Sequence, residues 1–166
     1  MSEPGDVAAR LRDPGAAFLL SALGFQSSRR WSARLEPIGL DARQVMALRV
    51  IGGEGSMTQA ALARRIGVPA SRIVGLVDEL EAAGQVERRP GQSDRRVHML
   101  NVTEAGAATL RQVVEISIAH EAEMLEGLSP DERRELLGLL RRIADGQGLT
   151  PAIHPGAAVG RPFRGG

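Results

Sequence analysis

The chain has no cysteine, no lysine and no tyrosine. Each absence removes a class of chemistry. Without cysteine there is no disulfide, no thiolate and no thiol-based response to oxidants. Without lysine, all 21 basic residues are arginines, which we read as the codon bias of a GC-rich genome. The run Gly52-Gly53-Glu54-Gly55 therefore lacks the lysine of a phosphate-binding loop and reads as a helix stop. Long apolar runs are also missing. None approaches the ~20 residues of a membrane span, and no leader pattern opens the chain, so a cytoplasmic protein without a membrane partner is expected. Gly-x-Ser-x-Gly, His-Glu-x-x-His and purposeful carboxylate pairs do not occur, so an enzyme is not expected. The histidines His98, His120 and His154 lie far apart, so neither a metal nor another cofactor is expected. His120, beside Glu121 and Glu123, reads as a wet helix surface.

What remains is a chain of 166 residues, 43% hydrophobic, enough for one core or two small linked ones. Its formal net charge is only +1, but the charge is unevenly spread. Residues 41–103 hold nine arginines against seven acids, and residues 104–145 hold five against nine. A mildly basic middle suits a local polyanion-facing surface, although solvated helix faces would give the same count.

The middle carries the clearest local signals. Thr58 can cap a helix on which Leu62, Ala63 and Ile66 recur at helical spacing. Gly67 ends it, Val68 starts a turn, and Pro69 suits the first position of the next helix. That helix runs to about Ala83, with Gly84 behind it. Its Ile73, Leu76, Val77 and Leu80 share the core face. Ala70, Ser71, Arg72, Val74 and Gly75 then lie outward. Two helices joined this way form a helix-turn-helix, whose second helix enters the major groove of DNA. There Arg72 can bond guanine, and Ser71 a base edge or phosphate. Gln59, Arg64 and Arg65 lie on the first helix, which crosses the backbone. For Arg64 and Arg65, pairing with Glu79 or Glu81 is an equally good account.

Two strands follow, Val86 to Arg89 and Val97 to Val102, around a tip of Pro90, Gly91, Gln92, Ser93 and Asp94. Arg88, Arg89, Arg95 and Arg96 cluster there. Leu100 and Val102 alternate inward, and Thr103 caps the next helix.

The flanks are helical. Asp13-Pro14 reads as the start of a helix reaching Leu35, broken by Pro37 and Gly39. Asp41 caps a second helix with Val45, Leu48 and Ile51 inside. Met57 can add a short strand beside the hairpin. After Thr103, a long helix carries Leu110, Val113, Val114, Ser117 and Ile118. Ser129-Pro130-Asp131-Glu132 is a capping box opening a last helix with Leu136, Leu137, Leu139, Leu140 and Ile143. This apolar surface exceeds what one neighbour covers. Residues 1–12 and 146–166 read as flexible tails.

Together these stretches resemble the MarR family of bacterial transcription regulators. The resemblance rests on Asp94-Arg95-Arg96, on Leu100-Asn101-Val102-Thr103-Glu104-Ala105-Gly106, and on the segments Leu62–Val68 and Leu76–Gly84, in order and spacing. It covers roughly Phe18 to Ala144. Valine at 102 replaces the family's leucine, and Val74 and Gly75 stand where polar readers are common.

The resemblance implies a mainly α fold with a small antiparallel β-wing. Residues 41–103 would form a winged helix-turn-helix, and residues 13–36 and 104–145 a helical dimerisation region. It implies a dimeric repressor of a pseudo-palindromic operator on double-stranded DNA, relieved by a small effector such as an aromatic acid. The expected DNA-binding residues are Gln59, Ser71, Arg72, Val74, Gly75, Asp94, Arg95 and Arg96. Arg96 would enter the minor groove, with Asp94 bracing it. Trp31 and Arg34 are the expected ligand residues, one to stack and one to hold a carboxylate. A core role for Trp31 is the competing account. Two other functions stay open: a winged-helix protein-interaction module without DNA binding, and a small-molecule enzyme using the interhelical cavity.

Overall fold

The computed structural model describes residues 14–91, 95–150 and 152–154. Helix α1 spans Ala16–Leu35 and is followed by a 3-10 turn at Glu36–Ile38. The amides of Phe18 and Leu19 both bond back to the Gly15 carbonyl, at 3.0 and 3.3 Å. Gly15 is therefore the cap of α1; Asp13, the expected cap, lies outside the described residues.

Helix α2 spans Ala42–Glu54 and opens as expected. The Asp41 carboxylate accepts from the amides of Arg43 and Gln44, at 2.8 and 2.9 Å. The Gln44 side chain accepts from the Asp41 amide at 2.9 Å, closing a capping box. The helix runs through Gly52 and Gly53 and ends only at Gly55. The predicted stop thus falls within the run Gly52–Gly55, and Gly52 also serves packing, since a Cβ there would lie 2.7 Å from Leu110 Cδ1.

Strand β1 (Met57–Thr58) leads into α3 (Gln59–Ile66), whose Ala61 amide is capped by the Thr58 hydroxyl at 3.1 Å. The turn at Gly67 (φ 78°) leads to α4 (Ala70–Ala82). Pro69 stands one place before α4, as its cap, because its ψ of 142° is extended. Strands β2 (Val86–Pro90) and β3 (His98–Val102) form the hairpin. The sheet is antiparallel, ordered β1-β3-β2, with Met57 opposite Leu100, Val86 opposite Val102 and Arg88 opposite Leu100. Helix α5 (Glu104–Met124) and helix α6 (Pro130–Gly146) complete the fold, capped by Thr103 and by the predicted Ser129 box.

Two apolar clusters hold these elements. In the larger, Leu48, Ile51, Leu62, Ile73, Val77, Leu80, Val86 and Leu100 are almost wholly inaccessible. Each such side chain contributes about 1.5–3 kcal/mol by leaving water. The smaller cluster joins Leu35, Leu40, Val45 and Val113, with Trp31 and Ile38 packed on it. Helix α5 serves both, with Leu110 against the first and Val113 inside the second. Past α6, half-buried Ile153 rests against the larger cluster.

The joint between α5 and the hairpin is tight. The Thr103 hydroxyl donates to the Gly84 carbonyl at 2.6 Å and accepts from the Gly106 amide at 3.0 Å. The Thr103 amide bonds the Gln85 carbonyl at 3.1 Å. That carbonyl lies where Gly106 would carry a Cβ.

Large apolar residues are exposed on α1 (Phe18, Leu19, Leu23, Phe25), on α5 (Val114, Ile118) and on α6 (Leu137, Leu139, Leu140, Ile143). No helix among the described residues is long and apolar enough to cross a membrane.

Candidate nucleic-acid interface

The candidate surface begins with α4. Ile73, Val77 and Leu80 anchor one side of it in the core, so Ala70, Ser71, Arg72, Val74 and Gly75 are exposed together on the other. Val74 is an apolar residue 47% exposed in the middle of this face, whose polar side chains are Ser71 and Arg72. Gln59 is only half-buried, yet its amide nitrogen is enclosed without an acceptor among the described residues.

The hairpin sorts its arginines by strand alternation. Arg88 faces inward on the same side as Val86 and reaches α4, where it donates to Asp78 and Glu81. The hydrogen bond to Asp78, opposed by burial and aided by Glu81, holds its guanidinium above the ordinary arginine value. Arg89 points the other way, pairs with Glu87 at 2.6 Å and is 67% exposed. Arg95 and Arg96 are exposed beyond the strands. Arg89, Pro90, Gly91 and Arg95 line an open hollow beside the tip. The expected cluster of four arginines is thus three outward and one inward. Asp94, with Gln92 and Ser93, lies outside the described residues.

Arg65 pairs with Glu54 at 2.7 Å, and neither Glu79 nor Glu81 takes it. Glu81 is occupied by Arg88, and Glu79 accepts from Gln44 at 3.1 Å.

A second polar group lies between α1 and α5. Trp31 is half-buried, packed on the smaller cluster with its ring 5.6 Å from that of His120. His120 is no wet surface residue. Its Nε2 shares a 3.0 Å hydrogen bond with the Ser27 hydroxyl, and its Nδ1 is enclosed without a partner among the described residues. Burial, and then the Arg34 charge, lower its pKa. Arg34 and Arg30 both pair with Glu123. Trp31 and Arg34 are therefore brought to one joint, with the tryptophan in packing and the arginine paired.

Between α2 and α5 lies an open cavity of about 250 Å³. Leu110, Val113, Val114 and Ile118 line it, with Arg49, Ser117 and Glu121 as its polar lining. Arg49 was not singled out from sequence. Its only signal is a charge breaking the apolar run of α2, between Leu48 and Val50.

Three comparisons bear on this geometry. A family model described as "MarR family" matches residues 38–97, the helix-turn-helix and much of the hairpin. A curated relative in Thauera aromatica, "Putative transcriptional regulatory protein for hcr operon", is 33% identical over 105 residues. The alignment covers 63% of this chain and 63% of that protein's length. Reduced MarR from E. coli superposes with a TM-score of 0.69 at 25% identity, over 78% of this chain and 96% of that one. Two further neighbours share the fold. A cysteine-to-serine mutant of MarR from E. coli, complexed with operator DNA, has a TM-score of 0.66 at 24% identity, over 81% of this chain and 96% of its own. Bordetella bronchiseptica BpsR, whose DNA binding is regulated by 6-hydroxynicotinic acid, has a TM-score of 0.66 at 20% identity, over 80% and 94%. The family model lies over the helix-turn-helix and MarR structures match along nearly their whole length, so the chain is similar to the MarR family in both sequence and fold.

Proposed function

We propose that the chain is a DNA-binding transcriptional regulator that works in the cytoplasm as a homodimer, a repressor released by a small aromatic acid. The observation that carries this is the exposed face of α4, with Ser71 and Arg72, set beside a hairpin arm bearing Arg95 and Arg96. Two copies of α4 about one helical turn of DNA apart, ~34 Å, would read the two halves of a pseudo-palindrome. Gln59, at the start of α3, lies toward the phosphates. The wing follows α4 directly, so its tip reaches the flanking minor groove, where a narrow A·T-rich groove attracts Arg96. The operator-bound MarR neighbour supports the docking, and the Thauera relative supports the regulatory role.

The effector reading rests on Trp31 and Arg34 at the α1–α5 joint. BpsR, regulated by an aromatic acid, supports that ligand class. An incoming carboxylate would displace Glu123 from Arg34.

The test is a salt titration of duplex binding. Arg96→Ala should weaken binding to operator and to unrelated A·T-rich duplex alike. It should flatten the slope of log K against log salt by about 0.9 per arginine lost. Arg72→Ala should instead relax discrimination between sequences. A folded Arg96→Ala with full affinity and an unchanged slope removes the wing from the interface. Salt-independent behaviour toward every duplex would favour a winged-helix protein-interaction module, for which exposed Val74 supplies an apolar contact.

A further inference from the structure

We propose that Arg88 is a positioning residue: it pins the β-wing to the recognition helix and sets the angle between the two surfaces that meet DNA. The inference rests on the DNA-binding reading, but its geometry stands apart. Strand β2 is the root of the wing, and its own strand pairing fixes it only to β3. Arg88 ties this root to α4 across the helix-strand corner at Gly84 and Gln85. One guanidinium bonds two carboxylates, those of Asp78 and Glu81. These lie three residues apart, one turn on the same side of α4. A planar guanidinium held at two points resists both sliding and rotation, which a single ammonium does not. Arg88 is much less exposed than its strand neighbour, with 22% of its side chain accessible against 67% for Arg89. With two acids already on it, Arg88 has little charge to offer a phosphate. Its effect on DNA must pass through geometry.

Two experiments separate this role from direct contact. The first measures wing position without DNA. The chain has no cysteine, so Ala82→Cys on α4 and Val97→Cys on the wing take nitroxide labels uniquely. Their distance distribution should be narrow in the wild-type background and broad after Arg88→Gln. An unchanged narrow distribution overturns the proposal. The second measures DNA. Arg88→Gln should lose about tenfold in operator affinity. Its salt slope should stay unchanged, where loss of a phosphate contact would flatten it by about 0.9. The paired variant Asp78→Asn, Glu81→Gln keeps the arginine and removes two negative charges near the DNA surface. A pinning role requires it to weaken binding by a similar factor, and the triple variant to lose no more than either. Tighter binding by the paired variant, or a flattened slope in Arg88→Gln, overturns the proposal. Should the wild-type protein bind no duplex while the distances broaden as stated, the pin stands and the DNA reading falls.

Discussion

Gly106 carries no side chain because the Gln85 carbonyl occupies the place of its Cβ. The obstacle is backbone, held in turn by the Thr103 amide, so it cannot swing aside as a leucine tip would. The Thr-x-x-Gly pattern thus has a mechanical meaning: threonine ties the helix start to Gly84, and glycine lets it come close. Gly106→Ala should cost about 1–3 kcal/mol, as overpacked cores do. Gly75 on α4 is the control, since a Cβ there meets nothing within 4 Å. Gly75→Ala should gain roughly 0.5–1 kcal/mol from helix propensity. Thermal melts of both variants check the pair. A Gly106→Ala protein as stable as wild type would refute this account of the motif.

Between elements, the joint of α1 and α5 is a polar contact inside an apolar frame. His120 pairs with Ser27 beneath Trp31, and the Arg30 and Arg34 charges, attracted to Glu123, lie alongside. Burial and Arg34 lower the histidine's pKa, while Glu123 opposes them. The folded state therefore binds this proton less readily than the unfolded chain, whose histidine titrates near ~6.5. The contribution of His120 is complete above that pH and is lost as pH falls toward the lowered value. The melting temperature should decline more steeply below about pH 6.5 in the wild type than in His120→Gln. Parallel curves would remove the histidine from the joint.

This joint was illegible in the sequence because Ser27 and His120 are 93 residues apart and only tertiary packing brings them together. The inward turn of Arg88 was hidden for a similar reason. Alternation along β2 tells which residues share a face, but not that Asp78 and Glu81 wait there. Local signals fared better. Asp41, Thr58, Gly67, Thr103 and Ser129 mark helix ends as read, because capping is settled within a few residues. The packing role of Gly52 was hidden because it is set by Leu110, far along the chain. The outward face of α4 was legible throughout, since three buried residues at helical spacing fix what must point outward.

At the scale of the molecule, α6 has no fully buried residue, and its Leu137, Leu139 and Leu140 face water in the single chain. Phe18 is 62% exposed on α1 and Ile118 65% exposed on α5. Apolar surface spread over three helices is what a second copy would cover in the proposed dimer. Leu140→Glu with Ile143→Glu places two charges on that stripe and should give monomer or aggregate. Sedimentation velocity at low micromolar concentration reads the outcome. A wild-type protein that runs as a folded monomer across that range would remove the dimer. The same scale brings out what α5 implies by passing through both cores. Its 21 residues, at ~1.5 Å each, make a rod about 31 Å long. Leverage follows from length: a tilt of roughly 5° at the His120 end carries the Thr103 end through about 2.7 Å, a full hydrogen-bond length. The wing is rooted at that end, so in the proposed effector mechanism a ligand at the far joint would need only to lean on the rod to move it.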